Sequence, residues 1–175
     1  SEADPDPVKS LLKLRNEVYA LNRHTIEVFD NVGRTGFPFQ RIAGAQIQKG
    51  TVGTHANCVF MESIAFLGGG FNEAPSIYMG VNGSAQKIAT REIEEILQEY
   101  TETELATVFL EERVDSAHTF LIVHLPRHTL VFDGAGSQAT SQPVWFTLSS
   151  TLVGEGIWNA CTCIWAYDRW NVCHP

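Results

Sequence analysis

The chain has no long apolar run. None of its hydrophobic stretches approaches the roughly 20 residues that a membrane-spanning helix needs, so no membrane-spanning segment is expected. Cysteine is sparse, with four in 175 residues, too few for a disulfide scaffold at this length. Positive charge is also short: twelve Lys and Arg stand against twenty Asp and Glu, a net charge of −8. That balance argues against broad binding to nucleic acid or to an anionic membrane, both of which need clustered cations. The opening Ser1-Glu2-Ala3-Asp4-Pro5-Asp6-Pro7 has no initiator Met and is read as a processed start or the edge of a fragment.

What is present is apolar content, 44% hydrophobic against 18% charged, enough for one globular domain over residues 1–175. The patterning is that of strands. Phe120-Leu121-Ile122-Val123 is apolar without a break, which predicts a strand covered on both faces. Pro126 cannot donate a ladder hydrogen bond and suits the reversal that follows. Leu130 and Phe132 then alternate with Thr129, Val131 and Asp133, the period of a second strand. Beyond Asp133-Gly134 a Gly/Ser/Gln/Thr loop is expected, leading to a strand at Val144-Trp145-Phe146-Thr147-Leu148.

Further strands are predicted at residues 11–14, 17–21, 25–29, 76–81, 86–89 and 108–114, with Asn82-Gly83 as a hairpin turn. Residues 59–67 read as one strand stopping at a flexible corner, Gly68-Gly69-Gly70, and residues 31–53 as a long Gly-rich connection. A last strand region spans residues 157–167, with a turn at Asp168-Arg169. Hairpins centred near Ala20, Phe66 and Val123 recur at roughly 50-residue intervals, the scale of a propeller blade. One helical insert interrupts them at about residues 90–107. Thr90 can cap it, Ile93, Ile96, Leu97 and Tyr100 form one stripe, and Thr101 and Glu104 have capping-box spacing. Eight glutamates between Glu92 and Glu112 read as a solvated face, or alternatively as an acidic surface offered to a partner or a channel.

The candidate chemistry is thin. Cys161-x-Cys163 with Cys173-His174 has the residue types of a zinc site, but the intervening Ile164-Trp165-Ala166-Tyr167 reads as a strand and the spacing is unlike that of structural zinc ligands. Reduced thiols and no metal are expected. Asp115, His118, His124 and His128 could serve acid–base work, yet His124 and His128 flank a hairpin turn, where polar rings commonly cap strand ends. Ser137 and Ser141 lack the setting of an activated nucleophile, and the triple glycine lacks the Lys-Ser/Thr of a phosphate loop. The four tryptophans are expected to fill the core rather than to form a sugar platform. No cofactor and no catalytic residue is expected.

One block carries a resemblance. His124-Leu125-Pro126-Arg127-His128, followed by Leu130-Val131-Phe132-Asp133, resembles the packaged-DNA stabilisation proteins, or tail hub proteins, of short-tailed bacteriophages. Thr25-Ile26-Glu27, Gln48-Lys49-Gly50, Ala74-Pro75-Ser76-Ile77-Tyr78, Ile88-Ala89-Thr90 and Tyr100-Thr101 resemble further family segments in the same order. The similarity runs from about residue 25 to 148, with none carried over at residues 156–175. It implies a mainly β, propeller-like fold, here a partial propeller of about three antiparallel blades from the middle of a longer chain. It also implies a structural virion protein that forms a homo-oligomeric, hexameric ring below the portal. Such a ring contacts the portal or head-tail adaptor and other tail proteins, retains packaged DNA, and has no catalytic residue and no sequence-specific nucleic-acid contact. His124, Leu125, Pro126, Arg127, His128 and Asp133 are then structural motif residues. The alternative is a carbohydrate-binding or hydrolytic propeller domain of a tail protein.

Overall fold

The computed structural model describes residues 6–81, 83–151, 157–160 and 162–173. Residues 1–5, Asn82 of the expected Asn82-Gly83 turn, Cys161 and His174 lie outside the described residues. Two compact units divide the chain, Ser1–Thr107 and Val108–Pro175.

In the first unit, β1 (Val8–Leu14), β2 (Glu17–Asn22), β3 (Ile26–Asn31) and β4 (Phe39–Arg41) form an antiparallel sheet in the order of the chain. Alternate side chains, Leu14, Tyr19, Leu21, Ile26 and Val28, enter a core shared with Ala45, Ile47, Ile64, Phe66 and Tyr78. The long connection expected over residues 31–53 contains paired segments. Phe39-Gln40-Arg41 pairs with Phe29-Asp30-Asn31, and Ile47 bridges Ile26. Neither run is long enough to show a period in sequence.

The second sheet contains β5 (Gly50–Thr51), β6 (Asn57–Phe60), β7 (Ser63–Gly69), β8 (Ser76–Val81) and β9 (Ser84–Lys87). β5 and β6 both pair with β7, at its two ends, so they act together as one split edge strand. The single strand expected at residues 59–67 is in fact a hairpin. The chain reverses at Met61 and Glu62, both with positive φ, 47° and 63°. Tight hairpin turns normally place Asn or Gly there, so this one left no mark in the sequence. Gly68 and Gly69 are not a flexible corner either. They end β7 and are buried, and a Cβ on Gly68 would stand 1.8 Å from the Gly50 carbonyl oxygen. Glycine is required by that close approach of backbones.

The helical insert falls where its stripe placed it, as α1 (Arg91–Gln98) and α2 (Glu102–Leu105). Ile93, Leu97 and Tyr100 are buried, while Ile96 is only half-buried. Thr90 occupies the N-cap with extended backbone but makes no side-chain cap. Thr101 and Glu104 complete their capping box, with the Thr101 N–H donating to Glu104 at 2.8 Å.

The second unit is a sheet of β10 (Phe109–Asp115), β11 (His118–His124), β12 (Thr129–Asp133) and β13 (Val144–Leu148), again in chain order, and a separate hairpin of β14 (Thr162–Ala166) and β15 (Arg169–Cys173). Leu121, Ile122 and Val123 are buried, as an unbroken apolar run requires. All of β12 is buried too, so its alternation separates residue types rather than core from solvent. Between β12 and β13 the expected loop is a helix, α3 (Gly134–Thr140), capped when the Gly136 N–H donates to Asp133 Oδ1 at 2.9 Å. Gly, Ser and Thr are weak helix formers, which hid it. The last turn lies at Tyr167 and Asp168, φ 56° and 57°, one residue before the expected Asp168-Arg169. Three serial antiparallel sheets and one more hairpin make a mainly β chain with blade-like units. Among the described residues no sheet closes on itself, and no helix is long and apolar enough to cross a membrane.

Candidate functional site

The polar residues with chemical potential gather in the second unit, around the hairpin of β11 and β12. Its turn closes when the Leu125 N–H donates to the His128 carbonyl at 2.9 Å. Leu125 is buried, while Pro126 and Arg127 are exposed at the tip. His124 ends β11, 8% exposed, stacked on Phe109 at 4.0 Å between ring centroids and facing Trp158 at 5.9 Å. Its Nε2 lies 2.9 Å from Glu111 Oε1 on β10.

Glu111 is the hub of this cluster. Oε2 accepts the Cys163 backbone N–H at 2.8 Å and the Thr162 hydroxyl at 3.1 Å, both from β14. Burial pushes the carboxyl up. The hydrogen bonds from His124, Cys163 and Thr162 outweigh that and hold it below the usual carboxylate range. An ionised carboxylate only accepts, so His124 Nε2 carries the proton in this contact. Cys163 is the converse case: burial, then the neighbouring Glu111 charge, push its thiol up and make it a poor nucleophile.

The second cluster stands where β12 gives way to α3. His118 Nδ1 lies 2.7 Å from Asp133 Oδ2, and Asp133 Oδ1 caps the helix. Ser137 donates its hydroxyl to the Asp133 carbonyl at 2.6 Å and accepts the Val144 N–H at 2.8 Å. Both sides of that hydroxyl are spent on backbone, and among the described residues no base addresses it. Asp115, opposite His118 in register, pairs with Arg113 at 3.4 Å on the exposed end of β10. The four residues Asp115, His118, His124 and His128 are thus divided between the two ends of β11 and not brought to one point. Among the described residues no group of three or more His, Cys, Asp or Glu could hold a metal ion, and Cys58, Cys163 and Cys173 form no disulfide. What the arrangement does chemically is to fasten strands, a helix and a hairpin to one another.

In the first unit a groove of about 520 Å³ is lined by Lys49, Glu73, Tyr78, Lys87 and Glu94, among others. Its charges are matched: Lys49 pairs with Glu73, and Lys87 with Glu94 at 2.6 Å, where Glu94 also accepts the Ser76 hydroxyl at 2.9 Å. Glu73 and Glu94 are held low by these partners, Lys49 first for Glu73 and Lys87 first for Glu94.

Two expectations change here. The eight glutamates are not one solvated face: Glu94, Glu95, Glu102 and Glu111 pair with Lys87, Arg91, Arg23 and His124, and Glu104 closes a cap. Nor do all the tryptophans fill the core, since Trp165 is 57% exposed beside Tyr167 at 91%. Glu111 is the residue that sequence reasoning passed over. Nothing local separates it from its acidic neighbours, and only its contact with His124 on the adjacent strand distinguishes it.

Residues 1–174 match the model of a family described as Bacteriophage P22 Gp10, beta-propeller. The match extends past the residues 25–148 that carried the resemblance, through the last hairpin. The chain is 35% identical over 164 residues to the "Tail hub protein gp10" of Salmonella phage P22, covering 89% of this chain and 33% of that protein. It therefore spans about a third of the length of the curated relative it matches.

Proposed function

The chain belongs to the phage-stabilisation β-propeller family of P22 Gp10, and from that premise we propose that it is a structural portion of a phage tail hub and not an enzyme. Residues 1–175 are then one stretch of a propeller. The whole protein forms a ring, hexameric by the family resemblance, that sits in the virion below the portal, contacts portal or adaptor and other tail proteins, and retains packaged DNA. The observation that carries this reading is the family match along residues 1–174.

The geometry supports it. The conspicuous polar groups, His124 with Glu111 and His118 with Asp133, are occupied in fastening elements together, as a load-carrying ring needs and an active site does not. The motif residues His124, Leu125, Pro126, Arg127, His128 and Asp133 are the two strand ends and tip of one hairpin, a structural role. A net charge of −8 suits a channel wall that must not hold DNA. The test uses the protein at the full length of its relatives, in a duplex-DNA gel shift alongside co-sedimentation with purified portal. Portal association without DNA binding is expected. Tight, salt-sensitive DNA binding without portal association sinks the reading.

A second reading, glycan binding by a tail propeller, rests on the exposed Trp165 and Tyr167, since exposed aromatic rings can stack on sugars. A glycan array discriminates: binding lost on Trp165→Ala would favour it over the hub.

A further inference from the structure

The last hairpin and the sheet it lies against are held in different ways. Among the described residues β14 pairs with β15 alone, and no ladder joins either strand to β10. No described residue of the two strands is buried by the rest of this chain, so apolar packing contributes little to keeping them on the sheet. The sheet is the opposite case. β10 to β13 have continuous ladders, and Leu121, Val123, Leu130 and Phe132 are buried. What joins hairpin to sheet is polar. Glu111 Oε2 takes the Cys163 N–H at 2.8 Å and the Thr162 hydroxyl at 3.1 Å, and the Trp170 indole N–H donates to the Val114 carbonyl. Both acceptors belong to β10, and of the two only the carboxylate can be altered by a proton.

The titratable and charged groups around that carboxylate come from three strands. His124 faces it from β11 at 2.9 Å. Cys163 faces it from β14, and Arg113, two positions along β10, acts on the Cys163 thiol in the sense opposite to Glu111. His124 gives its Nε2–H to the carboxylate whether the ring is neutral or charged, and Arg113 stays charged throughout. Burial, then the Glu111 charge, keep the Cys163 thiol from ionising. The carboxyl is therefore the member that titrates in acid. Ionised, it receives three donors in charge-assisted bonds, roughly twice as strong as neutral ones. Protonated, it becomes a fourth donor in the same place, and the Cys163 N–H loses its charged acceptor.

We propose that Glu111 is a latch for the last hairpin: ionised, it holds β14 and β15 on β10, and on taking up a proton it lets that hairpin go while the sheet of β10 to β13 stays folded. The device stands on these contacts and not on the hub reading. Its hydrogen bonds hold the carboxyl below the ordinary value of 4.5, so the hairpin is fully latched above that pH and released as pH falls through the lower, folded value. A two-stranded hairpin on its own is marginal in water. A released β14–β15 therefore gives up its own ladder too, and release becomes visible as amide exchange.

The test is hydrogen–deuterium exchange in the protein at the full length of its relatives, with rates corrected for the intrinsic effect of pH. Near neutral pH, wild-type peptides from residues 162–173 and from residues 118–133 should both be protected. Toward about pH 3 the hairpin peptides should lose protection about tenfold or more, while residues 118–133 keep theirs. Glu111→Gln should show the open hairpin already at neutral pH, with no further change in acid. Thr162→Val leaves the sheet untouched and removes one bond to the latch. It should lower hairpin protection about tenfold at neutral pH, and it decides the matter if Glu111→Gln does not fold. Hairpin and sheet losing protection together, in acid or in Thr162→Val, would make Glu111 a general stability residue and overturn the latch. Hairpin protection that is the same at every pH, or unchanged by Thr162→Val, would overturn it as well.

Discussion

Glu111 and His124 are not partners in the β ladder. Glu111 is registered opposite Ile122, and His124 opposite Phe109, yet carboxylate and imidazole meet diagonally at 2.9 Å. Diagonal neighbours on one face of an antiparallel pair are within reach of long side chains. The diagonal leaves the second carboxylate oxygen pointing along the sheet, where it takes the N–H and hydroxyl of β14. One acidic side chain thus fastens the hairpin motif on one side and the last hairpin on the other.

Replacing Glu111 with Gln keeps its size but puts a donor among donors. The expected cost is about 1–3 kcal/mol, the penalty for leaving buried polar groups unmatched. All four tryptophans lie between residues 145 and 170, so urea unfolding followed by tryptophan fluorescence reads this unit directly. A midpoint equal to that of wild type would remove Glu111 from the fastening role.

The same residue sets an acid limit. Its carboxyl is held below the ordinary value of 4.5 in the folded chain, so the stability it contributes is complete above that value. That contribution is lost as pH falls through the lower, folded pKa. Glu111→Gln should therefore flatten the acid side of the stability profile below about pH 4.5 while lowering the plateau above it. Melting temperature measured between pH 3 and pH 7 for both proteins checks this. Parallel curves would contradict it.

On α1, Ile93→Asp should cost more than about 2 kcal/mol, because the site is buried and offers a charge no partner. The comparator must be chosen from the structure. Glu94 holds Lys87 and Ser76 and is no neutral control, whereas Glu95 is exposed in a pair with Arg91. Glu95→Ala should stay within about 1 kcal/mol of wild type. Equal denaturant midpoints for the two variants would dispose of the buried stripe.

Gly68→Ala tests the close approach of β5 to β7. The added methyl would stand 1.8 Å from the Gly50 carbonyl oxygen, a contact that only backbone movement relieves. A loss of about 3 kcal/mol, the upper end for overpacking, is expected. Gly69→Ala, where the nearest atom is the Ala74 carbonyl oxygen at 3.3 Å, should be milder. The reverse order in thermal melts would mean that β5 does not pack as described.

The sequence revealed what repeats over several residues. The apolar run at residues 120–123, the stripe Ile93, Ile96, Leu97 and Tyr100, and the box Thr101 to Glu104 each state a physical requirement over several positions, and each is found where it was placed except that Ile96 is only half-buried. Single positions escaped. Met61 and Glu62 turn the chain with side chains that do not favour it, because the hairpin of β6 and β7 is held by its pairing and not by its turn. α3 is started by Asp133 and not sustained by propensity. Of the candidate site, the hairpin was legible and its fastener was not. Glu111 acquires its role from His124, thirteen positions away, and spacing alone cannot report such a contact.

The order of strands has a kinetic consequence. In the sheet of β1 to β4 and in that of β10 to β13, every strand pairs with its neighbour in sequence, and the second sheet departs from that only where β5 reaches past β6 to β7. Closing short loops costs little entropy, and chains rich in local pairings reach their native contacts quickly. As the polypeptide leaves the ribosome, each sheet can therefore complete its ladder before the strands of the next one are available. Strand edges left open during synthesis are thus kept from pairing with the wrong partner on neighbouring nascent chains.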